Sequence, residues 1–338
     1  MSQRRLPCNA RRELTQSLFV SKPDISVSTH YHHGSPAMNH EAEPLSPTAQ
    51  SLREQLEAMK NELPHLSSVI DGCKHLVIAQ AALRDRLPLA DVADVVFDRM
   101  AFAQGAPLLS KADFRIDREL FQEAADSIIM ALEKGFPAIA DEFEKVRNAL
   151  HSEDDLQQDF LESLARGNEA NLQDQARRLG VLPEVLEMVI AEILKPFAQK
   201  RAESLPSLPE DVQWSKGYCP VCGSWPELSF LEGKEGARWL RCAFCGYEWR
   251  YMRVQCPFCE TTDQELLELM YLEERPHERI ELCTACKRYV LGIDQRNLAA
   301  PLAHEIATMA MIHLDVIAQE NDYSPGASYL WNYISAED

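Results

Sequence analysis

Four Cys-x-x-Cys pairs between residues 219 and 286 are the feature that most constrains how this 338-residue chain can fold. Two thiolates three positions apart can hold one metal ion in a tight turn, and two such turns complete a tetrahedral site of four sulfurs. Gly223 and Gly246 follow the first two pairs, where glycine permits the positive φ that such turns often need. The candidate metal ligands are Cys219, Cys222, Cys242, Cys245, Cys256, Cys259, Cys283 and Cys286.

The spacing between the pairs predicts which of them share a metal ion. Nineteen residues separate Cys222 from Cys242, and 23 residues separate Cys259 from Cys283. Each gap can hold a β-hairpin with one Cys pair at either end, and the residues in both gaps follow a strand, turn, strand pattern. Only ten residues separate the second pair from the third. We therefore predict that the first pair joins the second and the third joins the fourth. The sequence leaves a cross-braced arrangement open, in which the first pair joins the third and the second joins the fourth.

Metal binding explains this pattern better than a disulfide scaffold does. Disulfides are rare in the cytosol, which is the compartment we expect because no secretory signal is recognisable. A module of about 40 residues also buries too little apolar surface to fold alone. A structural metal site supplies on the order of 10 kcal/mol toward folding. The sequence therefore predicts two metal ions, and four thiolates accept iron or zinc in the same geometry.

The Cys motifs resemble those of the FdhE-type accessory proteins of formate dehydrogenase. The resemblance runs from about residue 50 to the C-terminal end. It is most specific in Tyr218-Cys219-Pro220-Val221-Cys222-Gly223-Ser224, Arg241-Cys242-Ala243-Phe244-Cys245-Gly246-Tyr247-Glu248-Trp249, Cys256-Pro257-Phe258-Cys259 and Cys283-Thr284-Ala285-Cys286-Lys287-Arg288-Tyr289-Val290. All four Cys pairs of the family are present, whereas the first 45 residues or so do not match its pattern.

This resemblance implies a non-catalytic, cytoplasmic protein that is rubredoxin-like at its cysteines and binds iron. It further implies that the protein is needed to produce active respiratory formate dehydrogenase, with the catalytic subunit of that enzyme as the partner before its export. The family resemblance favours iron, whereas the ligand set by itself would favour zinc.

Periodicity elsewhere in the chain predicts an α+β, multidomain fold. The apolar residues of 46–200 recur at helical spacing, as in the stripe from Phe121 to Leu132, and Pro183 suits the first turn of a helix. We expect an all-α N-terminal helical domain, two small rubredoxin-like or zinc-ribbon β modules and a C-terminal helix. The predicted segments are a disordered tail at 1–45, the helical domain at 46–200, a linker at 201–216, the metal modules at 217–254 and 255–297, and the C-terminal helix and tail at 298–338. The helical domain and the metal modules are predicted to be separable.

Charge and composition narrow the class of function. The formal net charge is −19, which argues against a general binder of nucleic acid or anionic membranes. No apolar run reaches transmembrane length, and no catalytic constellation stands out. We therefore predict a protein-interaction role without enzymatic activity, and the sequence leaves a homodimer open.

Two alternative functions remain open from the sequence. The first is a zinc-ribbon nucleic-acid reader, because basic and aromatic side chains interleave in the first module. The second is a metal-dependent thiol-redox protein, because free Cys-x-x-Cys pairs can exchange disulfides. The interleaved residues are Arg238, Trp239, Arg241, Trp249, Arg250, Tyr251 and Arg253.

Overall fold

The structure of the protein is a computed structural model. It describes residues 2–6, 45–92, 95–109, 116–152, 169–206, 208, 212–298 and 301–334. Most of the segment predicted to be a disordered tail, residues 1 and 7–44, lies outside these ranges. Within them, no helix combines the length and the apolar character needed to cross a membrane.

The N-terminal half of the described chain is helical. Its helices are α1 (Pro47–Glu62), α2 (Ser67–Arg86), α3 (Arg99–Ala103), α4 (Arg118–Gly135), α5 (Ala140–Ser152), α6 (Glu169–Leu179) and α7 (Pro183–Ser204). Asp117 caps α4 by accepting hydrogen bonds from the first-turn N–H groups, and Pro183 occupies the first turn of α7. Gly180 follows α6 with φ of 66°. α7 continues to Ser204, four residues past the predicted end of the helical domain.

Helices α2 and α4 approach each other closely at two glycines. A Cβ atom added to Gly135 would lie 2.1 Å from the carbonyl oxygen of Gly72. Because that oxygen belongs to the backbone of α2, it cannot move aside without shifting the helix. The stripe of Phe121, Ile128 and Leu132 on α4 is fully buried at this packing surface. Two small residues are therefore required for the two helices to pack at this distance.

Replacing Gly135 with alanine is expected to destabilise the protein by about 1–3 kcal/mol, the usual cost of overpacking a close contact. Urea unfolding followed by circular dichroism would measure the change. Met130→Ala on the same helix is the control, because Met130 is half exposed and its truncation should change stability little. Equal stability of the two variants would contradict the close approach of the helices.

The strands form one sheet. In chain order they are β1 (Ser2–Leu6), β2 (Pro226–Glu232), β3 (Ala237–Cys242), β4 (Glu248–Arg250), β5 (Leu267–Leu272), β6 (Arg275–Cys283), β7 (Arg288–Asp294) and β8 (Ser324–Pro325). The order across the sheet is β1-β5-β6-β7-β2-β3-β4, and β8 pairs beside β7. β2–β3 and β5–β6 are antiparallel and are the two hairpins that the Cys spacing predicts.

The two metal modules join through a parallel contact that the sequence pattern did not indicate. β2 of the first module pairs with β7 of the second, with Leu228 opposite Leu291 and Phe230 opposite Ile293. These side chains are buried in one apolar cluster, which also contains Leu314 of the C-terminal region. The modules therefore share a single sheet. A two-stranded hairpin is only marginally stable by itself. Joining edge to edge gives the two hairpins one wider apolar face, which a second layer can cover.

The C-terminal region supplies this second layer. It comprises α8 (His304–Ala307), a 3₁₀ turn (Thr308–Met311), α9 (Ile312–Glu320) and α10 (Leu330–Ile334). Met311 and Leu314 pack on the sheet, whereas Ile306 and Met309 pack against α1 and α2. The C-terminal region therefore packs both on the sheet and on the helical region.

The helical region also shares apolar core with the first metal module. One cluster contains Phe121 and Ile128 of α4, Ile193 of α7, and Leu240 and Trp249 of the module. α7 would therefore expose apolar surface if the first module were removed. The predicted fold class is confirmed, with N-terminal helices, two four-cysteine β modules and a C-terminal helix. The predicted domain boundaries and separability stay predictions.

Candidate metal centres

The first candidate centre lies where the β2–β3 hairpin begins and ends. The four Sγ atoms lie within 4.8 Å of one another, and all four cysteines are buried. The sulfurs of Cys219 and Cys245 are 3.6 Å apart, and those of Cys222 and Cys242 are 3.5 Å apart. A disulfide would bring two sulfurs to about 2 Å, so these are free thiols.

The sulfur–sulfur distances fit a tetrahedral metal site. Metal–sulfur bonds of about 2.3 Å place the corners of a tetrahedron about 3.8 Å apart. The observed separations lie within a few tenths of an ångström of that value, so four thiolates around this point fit zinc or iron. The donor set would close the coordination shell, because all four positions would be taken by sulfur.

The second candidate centre has the same arrangement but is more open to solvent. Its four Sγ atoms also lie within 4.8 Å of one another. The sulfurs of Cys256 and Cys286 are 3.7 Å apart, as are those of Cys259 and Cys283. Cys259 is exposed and Cys286 is half-buried. The structure thus groups the cysteines in chain order, as the spacing predicts, and does not group them in the cross-braced alternative. That the eight thiolates are metal ligands stays a prediction.

The local backbone explains how each Cys pair presents its sulfurs. In three of the turns the N–H two residues after the first cysteine donates to its Sγ at 3.4 Å, from Val221, Phe244 and Phe258. A second hydrogen bond closes each turn, from the N–H of the residue that follows the second cysteine. In the first turn, Gly223 N–H donates to the Cys219 carbonyl oxygen at 2.9 Å. The closing residue has positive φ, and it is Gly223, Gly246, Glu260 or Lys287.

Gly223→Ala is expected to destabilise the protein by about 1–2 kcal/mol, because a Cβ atom is strained at φ of 75°. Gly223→Asn is the matched comparison, since asparagine tolerates this conformation better than alanine does. Guanidinium unfolding of the metal-loaded protein would measure both variants. An alanine variant as stable as the asparagine variant would show that the conformation is not what the position requires.

The thiols of each centre differ in acidity. In the first centre burial raises the pKa of Cys219, whereas hydrogen bonds from Cys219 and Cys242 lower the pKa of Cys222. In the second, burial raises the pKa of Cys286 to about 11. Burial acts to raise the pKa of Cys259, but hydrogen bonds from the Thr261 N–H and the Cys283 thiol have the larger effect. The pKa of Cys259 is therefore lowered overall. A bound metal ion would displace protons from these shells, so affinity should fall as the pH falls.

A buried arginine that the sequence pattern did not single out for this role connects the two centres. Arg238 is 3% exposed. It donates to the carboxylate of Glu281 on β6 at 2.5 Å and to the Ser229 hydroxyl on β2 at 3.1 Å. It also donates to the carbonyl oxygens of Met252 and Gln255, at 2.9 and 2.8 Å, in the segment between the modules. Arg238 therefore stabilises the junction of the modules.

The run of interleaved basic and aromatic residues is thus not a continuous surface. Arg238 and Arg241 are both buried, and Arg241 pairs with Glu227 and Glu305. Only Arg250 and Arg253 of the four arginines are exposed. Alternation along a strand could not reveal this, because both faces of the sheet are covered near β3.

The two centres also touch directly through backbone. A Cβ atom added to Gly217 would lie 1.8 Å from the carbonyl oxygen of Pro257, which is in the third Cys turn. The Tyr251 hydroxyl donates to the Cys256 carbonyl oxygen at 3.2 Å. Sequence reasoning missed these contacts, since a glycine before a Cys pair carries no signal of what lies opposite.

The known proteins that this chain resembles carry the FdhE name. The family model described as FdhE, central domain, matches residues 218–253, which contain the whole first centre. A relative from Aquifex aeolicus (strain VF5), named Protein FdhE homolog, is 32% identical over 170 residues, 49% of this chain and 58% of that protein. A second Protein FdhE homolog, from Haemophilus ducreyi (strain 35000HP / ATCC 700724), is 26% identical over 73% of this chain and 77% of its own length. The chain spans little more than half the length of the first of these relatives.

A solved structure shares the fold. The crystal structure of the FdhE protein from Pseudomonas aeruginosa matches with a TM-score of 0.59 and 23% identity, over 86% of this chain and 96% of that one. The family model, the named relatives and the solved structure all carry the FdhE name, and this chain is similar to each of them.

Proposed function

We propose that this protein is a cytoplasmic maturation factor for respiratory formate dehydrogenase that binds the catalytic subunit and is not itself an enzyme. The observation that carries the proposal is the pair of four-cysteine shells, Cys219/Cys222/Cys242/Cys245 and Cys256/Cys259/Cys283/Cys286, in a chain similar to FdhE proteins. The family name supports formate dehydrogenase as the system in which the protein acts.

The chemistry of the donor set supports binding rather than catalysis. Four thiolates would leave no coordination position for a substrate. A bound iron or zinc ion would cross-link two ends of a hairpin and keep the adjoining surfaces rigid. Residues of the helical region and of both modules would then form the interaction surface. We propose iron as the metal on the strength of the family resemblance.

Deletion of the gene is expected to abolish formate oxidation while the catalytic polypeptide is still made. A dye-linked formate oxidation assay and an immunoblot of the catalytic subunit would measure the two quantities. Complementation with the wild-type chain should restore activity, whereas Cys219→Ser should not. Affinity-tagged protein should recover the catalytic subunit from the cytoplasmic fraction.

Normal formate oxidation in the deletion strain, with no second homologue in the genome, would defeat the proposal. A visible absorption spectrum with metal analysis would separate iron from zinc, because ferric iron bound by four thiolates absorbs visible light and zinc does not. The nucleic-acid alternative loses support, since Arg238 and Arg241 are buried in ion pairs. The thiol-redox alternative would require the eight thiols to be free of metal.

A further inference from the structure

The open edge of the sheet borders a groove among the described residues. β4 is the last strand in the order across the sheet, and no further described strand pairs with it. A groove of about 790 Å³ runs beside it. Its lining includes Trp214, Trp239, Trp249 and Met252. This volume is within the range of about 300–1,000 Å³ that ligand pockets occupy.

The pairing register shows which backbone groups of β4 face the groove. Tyr251 N–H donates to the Arg238 carbonyl oxygen, and Tyr247 accepts from Cys242 N–H. In an antiparallel pair the hydrogen-bonded positions alternate, so residues 247, 249 and 251 face β3. The N–H and C=O groups of Glu248 and Arg250 therefore point away from β3, toward the open edge. These groups are a template for one more strand.

A buried donor in the groove wall lacks a partner. Trp249 is 4% exposed, and its Nε1–H has no hydrogen-bond partner among the described residues. Buried polar groups are rarely left unsatisfied, because the loss of water costs free energy. Because Trp249 also packs in the core that the helices share, its indole forms a fixed, buried part of the groove wall.

The side chains along β4 indicate the chemistry of that occupant. Arg250 lies opposite Trp239 on one face, whereas Trp249 lies opposite Leu240 on the other face, where the apolar core is. Arg250 and Arg253 are exposed cations in a chain of net charge −19. An added strand would alternate its side chains between these two faces. Acidic residues would meet Arg250, and apolar residues would meet the aromatic side.

We propose that this groove binds an extended polypeptide segment of a partner protein, with alternating acidic and apolar residues, by adding it as a strand to β4. This deepens the proposed function and rests on it, because it assigns the surface that receives the partner. Main-chain hydrogen bonds to residues 248 and 250 would give affinity, and the guanidinium groups would select carboxylates. Glu248 would not repel the segment strongly, because it accepts from His304 and lies 3.7 Å from Arg241.

The probe is a fluorescein-labelled ten-residue peptide of alternating glutamate and valine, titrated with the full-length, metal-loaded protein. A counterpart with lysine in place of glutamate is the charge control. Arg250→Pro removes the outward N–H without touching a hydrogen bond to β3, and proline is tolerated on an edge strand when its N position faces outward. Arg250→Gln removes only the charge. Arg250→Gln is expected to weaken binding about fivefold to tenfold, the effect of one lost charge contact, and Arg250→Pro should weaken it further because it loses the N–H as well as the charge.

Met252→Glu in the groove and Met130→Glu on α4 are a matched pair, because both methionines are exposed, at 61% and 50%. Only the groove variant should weaken peptide binding.

Equal affinity for the acidic and basic peptides, no binding of either peptide, or full binding by Arg250→Pro would overturn the proposal. Tighter binding of a single-stranded oligonucleotide than of the acidic peptide would overturn it in favour of nucleic acid. A wild-type dimer in light scattering that Arg250→Pro converts to monomer would make the occupant a second copy.

Complementation separates failure of this inference from failure of the proposed function. If the gene is required for formate oxidation and Arg250→Pro with Met252→Glu restores activity fully, the maturation role stands and the groove proposal falls. If deletion leaves formate oxidation unchanged, the maturation role falls even when the acidic peptide binds.

Discussion

Cys222→Ser is expected to lose one metal ion per chain, to leave the second centre filled, and to destabilise the helical region as well as the first module. The first centre lies in the same apolar cluster as α4 and α7, so loss of its metal ion loosens a core that the helices share. A structural site of this kind contributes on the order of 10 kcal/mol, most of what a typical domain has. Elemental analysis and thermal unfolding followed by circular dichroism would measure both effects.

Cys259→Ser is the matched comparison at the second centre. Cys259 is exposed, and the cluster around it is small, with Cys256, Leu267 and Cys283 as its buried members. This variant should also lose one metal ion, but its helices should melt close to the wild-type temperature. Cys73→Ala should keep both ions, because Cys73 lies in α2 away from either shell. Loss of both ions from Cys222→Ser while the modules stay folded would contradict two independent centres.

Arg238→Met is expected to destabilise the protein by about 3–5 kcal/mol, the usual cost of removing one partner of a buried ion pair. The change would leave the Glu281 carboxylate without its cation and the carbonyl oxygens of Met252 and Gln255 without their donor. Because these groups come from both modules, the junction itself should loosen. Guanidinium unfolding would give the free energy, and hydrogen exchange of 252–256 would report the junction.

Two further variants test the cause of this loss. Arg238→Met combined with Glu281→Leu should be more stable than Arg238→Met alone, because the second change removes the unpaired buried charge. Arg250→Met, at an exposed position of the same module, should change stability by less than about 0.5 kcal/mol. If Arg238→Met were as mild as Arg250→Met, the buried ion pair would not stabilise the junction.

The sequence by itself determined the features that depend on short distances along the chain. Cys222 and Cys242 are close enough for one hairpin to join them, so spacing predicted the grouping of the sulfurs that the structure has. Gly223 and Gly246 marked positions of positive φ, because the turn chemistry is local. The stripe on α4 and the start of α7 at Pro183 followed from periodicity and first-turn preference for the same reason.

The tertiary structure decided everything that depends on contacts between distant residues. Leu228 and Leu291 become neighbours across a parallel strand pair, which merges two hairpins into one sheet. Arg238 is buried and Arg250 is exposed, although both belong to one basic and aromatic run. The alternation of a strand fixes which side chains share a face, but not what packs against that face. That second layer comes from α7 and the C-terminal helix, far away in the chain, so only the assembled fold determines which charges are available to a partner.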